Sequence, residues 1–417
     1  MDKEVGPSDL FLALGTGLGL SSLVTFFTVL VCGKYSPIPV ISAGVGLSLL
    51  AWLIPSVKRK TINMKFGSAV PLYCFLLILV PLLIVQWYVY AQRPWGDWDA
   101  WSFWNTRANA IFRGDDNWSA IFHLIFQARH PWLLPFSIVW GWTFTAQETV
   151  LVPALVATLF SVCIIGLCVY GLAPQIGRFG ALLSGIYLVS IPFFARHSGS
   201  QYADVVAAFY LLGSVFVLEK ASQEKSVKYS LLSGLLLGCL VNSKDEGIVL
   251  CIVLLLLSYF HLDRKRLISW KLLLLAAAPF LGMLTWSELM MRTMLLPAPF
   301  VGGDSQASVN LMGVFDWHRW AIILEHFFLV IALHPLSGGV WLLFAFLLLR
   351  RRSLHSAFVL KFMLSFCVFF CSLYLISTGN LKWRLMVSMD RLFFMLMPLM
   401  VWAAFRELFS GQGEGHR

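Results

Sequence analysis

Two aspartates lie two residues apart directly after a long apolar run, at Asp97 and Asp99. A carboxylate in this position can accept the proton of an attacking hydroxyl group, which is the chemistry of a general base. The alternative is structural, because Asp99 stands where an N-cap would accept hydrogen bonds from the first amides of a helix. Aromatic side chains such as the neighbouring Trp101 are also common at any membrane interface. These residues alone leave both interpretations open.

Further charged residues fall in five clusters on the same side of the predicted membrane. Ionisable groups at membrane depth are unfavourable unless they are paired or line a hydrated cavity. Each cluster alone is typical of a structural ion pair, whereas five on one side favour a shared aqueous cavity. Arginine and lysine suit a phosphate, so a lipid-phosphate donor that enters sideways from the bilayer fits this mixture. The clusters are Arg196-His197 before Tyr202-Ala203-Asp204, Ser243-Lys244-Asp245-Glu246, Glu288 with Arg292, Lys382-Trp383-Arg384, and Asp390-Arg391.

The segment around the two aspartates predicts helices that lie on the membrane surface. Apolar side chains recur there at helical spacing, which is typical of an amphipathic interfacial helix. The residues with this spacing are Trp98, Trp101, Trp104, Ala108, Ile111 and Phe112. A second short helix is predicted over residues 118–126, and His130-Pro131 then leads into a third.

Composition determines the class of protein. Hydrophobic residues make up 59% of the 417 positions and charged residues only 12%, against about 25% charged in a soluble domain. Apolar runs long enough to span a bilayer predict about twelve transmembrane helices. The runs begin near Leu10, Ile38, Val70, Thr149, Phe179, Val205, Ser230, Ile248, Leu272, Val340, Phe358 and Leu392. Residues 320–333 carry Glu325 and His326 and are interpreted as an interfacial helix.

The formal net charge of +10 is explained by topology. Most basic residues fall in the short loops on the side of the N-terminus, as the positive-inside rule requires. Both termini are therefore predicted to be cytoplasmic, and no nucleic acid partner is needed. The fold class is an all-α polytopic membrane protein. Residues 1–68 form two N-terminal transmembrane helices, 69–409 a catalytic domain whose large outer loop spans 92–148, and 410–417 a cytoplasmic tail.

The eight cysteines indicate neither disulfides nor a metal site. All lie in apolar runs and none forms a C-x-x-C pair, which is typical of small buried thiols. Asp97 and Asp99 have no histidine neighbour and so specify no metal. No cofactor is expected, and a divalent cation remains an alternative.

Several motifs resemble the GT-C superfamily of polyprenyl-phosphate-sugar-dependent glycosyltransferases, especially its bacterial lipopolysaccharide-core and protein O-mannosyltransferase branches. The resemblance covers roughly residues 87–405 and depends on the order of motifs that are individually weak. Two spans precede the presumed first family helix, and Asp-Trp-Asp stands in place of an Asp-Glu pair. The motifs are Trp98-Asp99-Ala100-Trp101, Trp104-Asn105, His130-Pro131, Leu133-Leu134-Pro135, Tyr202-Ala203-Asp204, Trp383-Arg384-Leu385 and Ser388-Met389-Asp390-Arg391-Leu392.

This resemblance implies a site on the outer face of a bacterial inner membrane. The family's catalytic aspartate would be Asp99, which lies inside the Trp-Asp-Ala-Trp motif, or Asp97. The donor phosphate would be held by basic residues, and the cavity or acceptor site would be shaped by polar and aromatic ones. The first set is Lys244, Arg384, Arg391 and Arg196, and the second is His130, Asp204, Trp101 and Asn105.

The expected function is inverting transfer of a sugar from a polyprenyl-phosphate donor to a lipid, glycan or protein acceptor. Positive side chains would stabilise the departing lipid phosphate. A transporter or flippase is the first alternative, although such proteins usually contain internal repeats and none is visible here. A non-catalytic assembly protein is the second, and it would tolerate neutral residues at both aspartates.

Overall fold

Lipid replaces water around the membrane-spanning segments of a polytopic chain, so the backbone amides of those segments find their partners within helices. The computed structural model describes residues 6–53, 70–113, 118, 131–263, 270–295, 310–332, 335–350 and 354–409. In these residues the backbone forms fifteen α-helices and no strand. The helices are α1 Pro7–Cys32, α2 Pro37–Leu53, α3 Leu72–Gln92, α4 Asn105–Phe112, α5 Leu133–Thr145, α6 Leu151–Ser190, α7 Pro192–Ser198, α8 Ala203–Glu224, α9 Val227–Val241, α10 Glu246–Leu257, α11 Trp270–Leu295, α12 Trp317–Glu325, α13 Val340–Arg350, α14 Leu354–Ile376 and α15 Leu381–Phe409.

Six helices in the described ranges are long and apolar enough to cross a membrane. They are α1, α3, α6, α8, residues 357–376 of α14, and α15. Six further apolar helices are shorter, so the expected number of about twelve spans stays a prediction. The chain is a polytopic, all-helical integral membrane protein.

Helix α6 is two antiparallel helices joined at Gly177. This glycine has φ 76° and ψ 168°, a conformation that interrupts the helix. The hydroxyl of Ser184 donates to the carbonyl of Cys168 at 3.3 Å, although a straight helix would separate these residues by about 24 Å. The two arms correspond to the apolar runs that begin near Thr149 and Phe179.

The N-terminal helix α1 packs into the same core as the helices that follow it. Pro7 occupies its first turn and Gly33 ends it with φ 73°, which is the usual asymmetry of helix termini. Phe11 stacks on Tyr170 with ring centroids 5.7 Å apart. The hydroxyl of Tyr210 in α8 donates to the carbonyl of Gly15 at 3.0 Å.

A buried amide fixes the end of α3 that leads to the two aspartates. Gln86 donates to the hydroxyls of Ser161 in α6 at 3.1 Å and Ser198 in α7 at 2.9 Å. Its carbonyl oxygen accepts from Thr158 at 2.9 Å. Because a buried amide is unfavourable unless its hydrogen bonds are made, this network fixes α3 against α6 and α7.

Helices α8 and α15 pack side by side, and ion pairs join them at both ends. At one end Arg406 of α15 contacts Glu219 of α8 at 2.7 Å, next to the pair of Lys220 and Asp9 at 2.8 Å. At the other end Arg391 of α15 contacts Asp204 of α8 at 3.0 Å. The second end also receives the loop that carries the two candidate aspartates.

Candidate active site

A tight turn after α3 places the two aspartates. The amide of Gly96 donates to the carbonyl of Arg93 at 2.8 Å, and Gly96 has φ +79°. A Cβ atom at Gly96 would lie 2.5 Å from Cβ of Ala100 and 2.7 Å from the carbonyl oxygen of Ser200. Only glycine fits both this dihedral angle and this close approach.

A second loop, residues 199–202, holds the first one in place. The amide of Asp97 donates to the carbonyl of Ser200 at 3.1 Å. Asn105 donates to the carbonyl of Trp95 at 2.8 Å and to the side chain of Gln201 at 3.1 Å. Asn105 is 1% exposed. The structure therefore places this predicted acceptor-site residue in the scaffold between the loops.

Asp99 does not act as an N-cap. It has helical dihedral angles, and its side chain makes no capping hydrogen bond. Its carboxylate instead accepts from Nη1 of Arg391 at 2.6 Å, and its amide donates to the hydroxyl of Tyr202 at 3.4 Å. If Asp99 has a structural role, that role is the salt bridge to Arg391 and not the capping of a helix.

Arg391, Lys244 and Asp204 form the centre of the cluster. Asp204 is fully buried, with one oxygen 2.6 Å from Nζ of Lys244 and the other 3.0 Å from Nη2 of Arg391. His197 approaches the same carboxylate to 3.6 Å, and Glu246 lies 3.5 Å from Lys244. A buried carboxylate needs such compensation, because an unpaired charge in the interior is strongly destabilising.

The ring of Tyr202 forms one wall of this cluster. The guanidinium of Arg391 lies 4.4 Å from the ring centroid, within the range of a cation–π interaction. Burial raises the pKa of Tyr202 to about 12. Tyr202 therefore stays neutral at physiological pH and orients both Arg391 and the backbone at Asp99.

A cavity of about 380 Å³ opens beside the cluster. One part of its wall is polar and carries both signs of charge, and the other part is apolar and aromatic. The polar side chains include Asp97, Arg196, His197, Tyr202, Asp390 and Arg391, and the apolar ones include Phe193, Leu336, Trp341, Met386, Val387, Phe393 and Met397. Such a wall suits an amphipathic ligand with an anionic group and a hydrocarbon chain.

The two aspartates have different partners. Asp97 forms an ion pair with the exposed Arg93 and lines the cavity. Asp99 pairs with Arg391 instead, and its other carboxylate oxygen has no hydrogen-bond partner among the described residues. Asp99 is thus joined to the buried cluster, whereas Asp97 faces the open space.

The remaining predicted residues are distributed around the cluster. Arg196 is exposed and lines the cavity. Arg384 lies two turns before Arg391 on α15 and does not line the cavity. Trp101 is 45% exposed on the far side of Asp97. The structure does not describe His130, residues 119–126 of the predicted second surface helix, or the side chains of Glu288 and Arg292.

Two residues that contact the site loop could not be selected from the sequence. Arg93 is one of many arginines after a span, and Gln201 is an ordinary amide whose φ of +63° cannot be predicted from its residue type. Tyr202 and Asp390 were visible within the charged clusters, but their positions on the cavity wall depend on the packing of α8 against α15. In the described part of the chain, no group of three His, Cys, Asp or Glu side chains is placed to hold a metal ion.

Comparison with known proteins supports the predicted fold. Residues 121–286 match the family model of dolichyl-phosphate-mannose-protein mannosyltransferases. No curated protein sequence matches the chain. The crystal structure of ArnT from Cupriavidus metallidurans bound to undecaprenyl phosphate is similar over 79% of this chain, with a TM-score of 0.53 and 14% sequence identity. The chain spans 59% of the length of that ArnT chain.

At this identity the likeness to ArnT shows the fold alone. The matched family segment contains Asp204 and Lys244, which lie at the centre of the cluster. The resemblance to the GT-C superfamily is therefore confirmed, in the fold of the chain and in the segment that the mannosyltransferase family model matches.

Proposed function

We propose that the chain is a membrane glycosyltransferase that moves a sugar from a polyprenyl-phosphate donor to an acceptor hydroxyl. The observation that carries this proposal is the position of Arg391, which lines a cavity with a polar and an apolar part, contacts Asp99 at 2.6 Å and shares the buried Asp204 with Lys244. A polyprenyl phosphate has the same division into an anion and a hydrocarbon chain. The mannosyltransferase family match and the undecaprenyl phosphate bound to ArnT support the same class of donor.

The donor phosphate would bind between the cations. Arg391 offers a planar guanidinium that can contact two anions at once, and Lys244 offers three donors on a flexible stem. Both already contact Asp204, which fixes their positions before a ligand arrives. Arg196 lines the cavity and is exposed, so it supplies further positive charge at the opening.

Asp99 is the proposed base. The carboxylate oxygen of Asp99 that does not contact Arg391 would take the proton of the acceptor hydroxyl as the hydroxyl oxygen attacks the anomeric carbon of the sugar. The bond from the anomeric carbon to the phosphate oxygen breaks, and the lipid phosphate leaves with the electron pair. Attack opposite the leaving group inverts the configuration of the sugar. Arg391 contacts Asp99 at 2.6 Å and so would stabilise the leaving phosphate close to the base.

The proposed location is a bacterial inner membrane, with both termini cytoplasmic and the site on the outer face. The basic residues in the opposite loops support this orientation. Helix α8 connects the two sides, because Asp204 lies at one of its ends and Lys220 near the other. Lys220 lies at the end that the loop charges place inside.

The test is sugar transfer by purified protein in lipid nanodiscs, with a panel of labelled polyprenyl-phosphate sugars and acceptor extracts. Asp99→Asn is expected to lower turnover about 10²- to 10⁴-fold, the usual contribution of a general base. Asp97→Asn is expected to retain most of the wild-type turnover at saturating acceptor concentration. Glu148→Gln serves as the control. Glu148 is an outer carboxylate that contacts Arg113 at 2.9 Å, and neither residue lines the cavity.

Two results would contradict the proposal in different ways. Loss of transfer in Asp97→Asn and not in Asp99→Asn would reassign the base to Asp97. An absence of transfer and of donor hydrolysis in wild-type protein across the whole donor panel would overturn the transferase function.

A further inference from the structure

A shallow depression of about 400 Å³ lies on the outer side of Asp97, next to the cavity. It is lined by residues 93–98 and Trp101. Among the described residues, Asp97 alone lines both the depression and the cavity. The two spaces are therefore neighbours that share one carboxylate as their common wall.

Three exposed indole rings line this depression, and Trp95 is the least exposed of them at 37%. Trp98 is 64% exposed and Trp101 is 45% exposed, whereas Trp104 on the next turn is 2% exposed. The rings of Trp98 and Trp101 pack edge to face with centroids 4.8 Å apart. This contact restrains both rings, and because it covers one face of one ring only, the other ring faces remain available to a ligand.

Charged groups of both signs stand beside these rings. Arg93 and Asp97 form an ion pair within the lining of the depression. The hydroxyl edge of a sugar can donate hydrogen bonds to the carboxylate and accept them from the guanidinium. The face of the same ring presents C–H groups that can pack against an indole face.

We propose that this depression binds a pyranose ring of the acceptor, and that the acceptor is accordingly a saccharide or the head group of a glycolipid. The inference rests on the proposed transferase function and names its acceptor class. A pyranose ring in the depression would lie on one side of Asp97, with the donor cavity on the other. An acceptor hydroxyl directed past Asp97 would then enter the cavity that Arg391 lines, and Arg391 contacts Asp99 at 2.6 Å.

Two other occupants fit the depression less well. A hydrocarbon chain would leave the Arg93–Asp97 pair against apolar groups, where charges are poorly stabilised. A membrane head-group belt explains exposed tryptophans in general. It does not explain an ion pair within the same depression or the shared wall with the donor cavity. An anchoring role is one outcome of the experiment below.

The test measures saccharide binding directly on the full chain in nanodiscs. Saturation-transfer difference NMR with methyl mannoside, methyl glucoside and methyl galactoside would detect sugar contacts without any transfer step. Trp98→Ala and Trp101→Ala are each expected to weaken the best of these interactions about tenfold. Trp98→Phe and Trp101→Phe keep an aromatic face and are expected to retain most of the binding.

Trp87→Ala is the matched control, because Trp87 is 65% exposed on α3 and lines neither space. Binding unchanged in this variant and lost in the two depression variants would support the proposal. Equal binding in all three variants would overturn it and assign Trp98 and Trp101 to membrane anchoring. Absence of any saccharide signal in wild-type protein would overturn it as well.

The same samples separate this inference from the transferase proposal. Polyprenyl phosphate is expected to raise the Tm of wild-type protein and not of Arg391→Gln, which tests the donor cavity alone. A soluble oligosaccharide and a glycolipid embedded in the nanodisc would then be compared as acceptors in the transfer assay. Higher turnover with one of these two acceptors would show whether the pyranose ring comes from a soluble saccharide or from a glycolipid. With either acceptor, Trp98→Ala and Trp101→Ala should raise the acceptor KM without changing the donor KM.

Discussion

Arg391 contacts Asp99 and Asp204 at the same time, through Nη1 at 2.6 Å and Nη2 at 3.0 Å. Asp99 belongs to the loop after α3, and Asp204 opens α8, more than a hundred residues later. One guanidinium thus joins an exposed loop to a buried helix end. The proposed base and the proposed phosphate site are consequently parts of a single ion-pair network.

Arg391→Lys should separate catalysis from folding. A lysine keeps the positive charge, but it cannot present two parallel N–H groups to two carboxylates. We expect turnover to fall about 10²-fold or more while the Tm changes little. Arg406→Lys is the control on the same helix, since Arg406 contacts Glu219 at the opposite end. Equal losses of turnover in both variants would argue against a special role for Arg391.

Asp204→Asn should destabilise the fold. The substitution leaves Lys244 and Arg391 near one another without their shared buried counter-charge, at a cost of about 3–5 kcal/mol. Thermal unfolding in detergent or nanodiscs would measure this loss. The double variant Asp204→Asn with Lys244→Met removes one of the unpaired cations and should recover part of the Tm. Lack of any recovery would show that charge balance does not explain the effect.

Tyr202→Phe should change turnover little, whereas Tyr202→Leu should lower it more. The phenylalanine variant loses a hydrogen bond of 3.4 Å but keeps the ring beneath Arg391, whereas leucine loses the cation–π contact of about 0.5–2 kcal/mol. Steady-state turnover of both variants tests this order.

The pH profile gives a separate test of Tyr202. Burial raises its pKa to about 12, so the hydroxyl stays protonated throughout the range below pH 10. The alkaline side of the activity profile should therefore be the same in wild type and Tyr202→Phe. An alkaline limb that disappears in the phenylalanine variant would show that Tyr202 ionises during turnover.

Gly96→Ala should disrupt the loop that carries the aspartates. The added methyl group would meet Ala100 and Ser200 at 2.5 and 2.7 Å, in a residue with φ +79°. Gly33→Ala isolates the dihedral effect, because Gly33 has φ +73° and no atom within 4 Å of the new Cβ. We expect Gly33→Ala to cost about 1 kcal/mol of stability. Gly96→Ala should cost more and should also lower turnover.

Apolar run length predicted much of the fold. The runs that begin near Val205 and Leu392 form most of the apolar part of α8 and α15, because a bilayer requires long apolar helices whatever their packing. The same reasoning separated the runs near Thr149 and Phe179 into two spans, but it did not predict that the turn between them is made at Gly177. A tight turn between helices depends on one backbone dihedral angle, and apolar periodicity carries no information on it.

Several site residues that were predicted from residue type and order are neighbours in the structure. Asp99, Asp204, Lys244 and Arg391 were selected from separate clusters, and the structure places them within a single network. The pairing of Asp99 with Arg391 could not be predicted, since it depends on how the loop after α3 docks on residues 199–202. For the same reason the burial of Asn105 between two loops was not visible in the sequence.

The distance between the two ion pairs that join α8 to α15 can be compared with the thickness of a bilayer. Asp204 and Glu219 are fifteen residues apart on α8, which is about 22 Å along a helix, whereas the hydrocarbon core of a bilayer is about 30 Å thick. With the two ion pairs placed symmetrically about the bilayer centre, the phosphate of a lipid that reached Arg391 would sit several ångströms below the ordinary head-group plane. Under the proposed function a donor lipid would move toward the bilayer centre to reach Arg391, so the thickness of the surrounding membrane would influence how readily the donor binds.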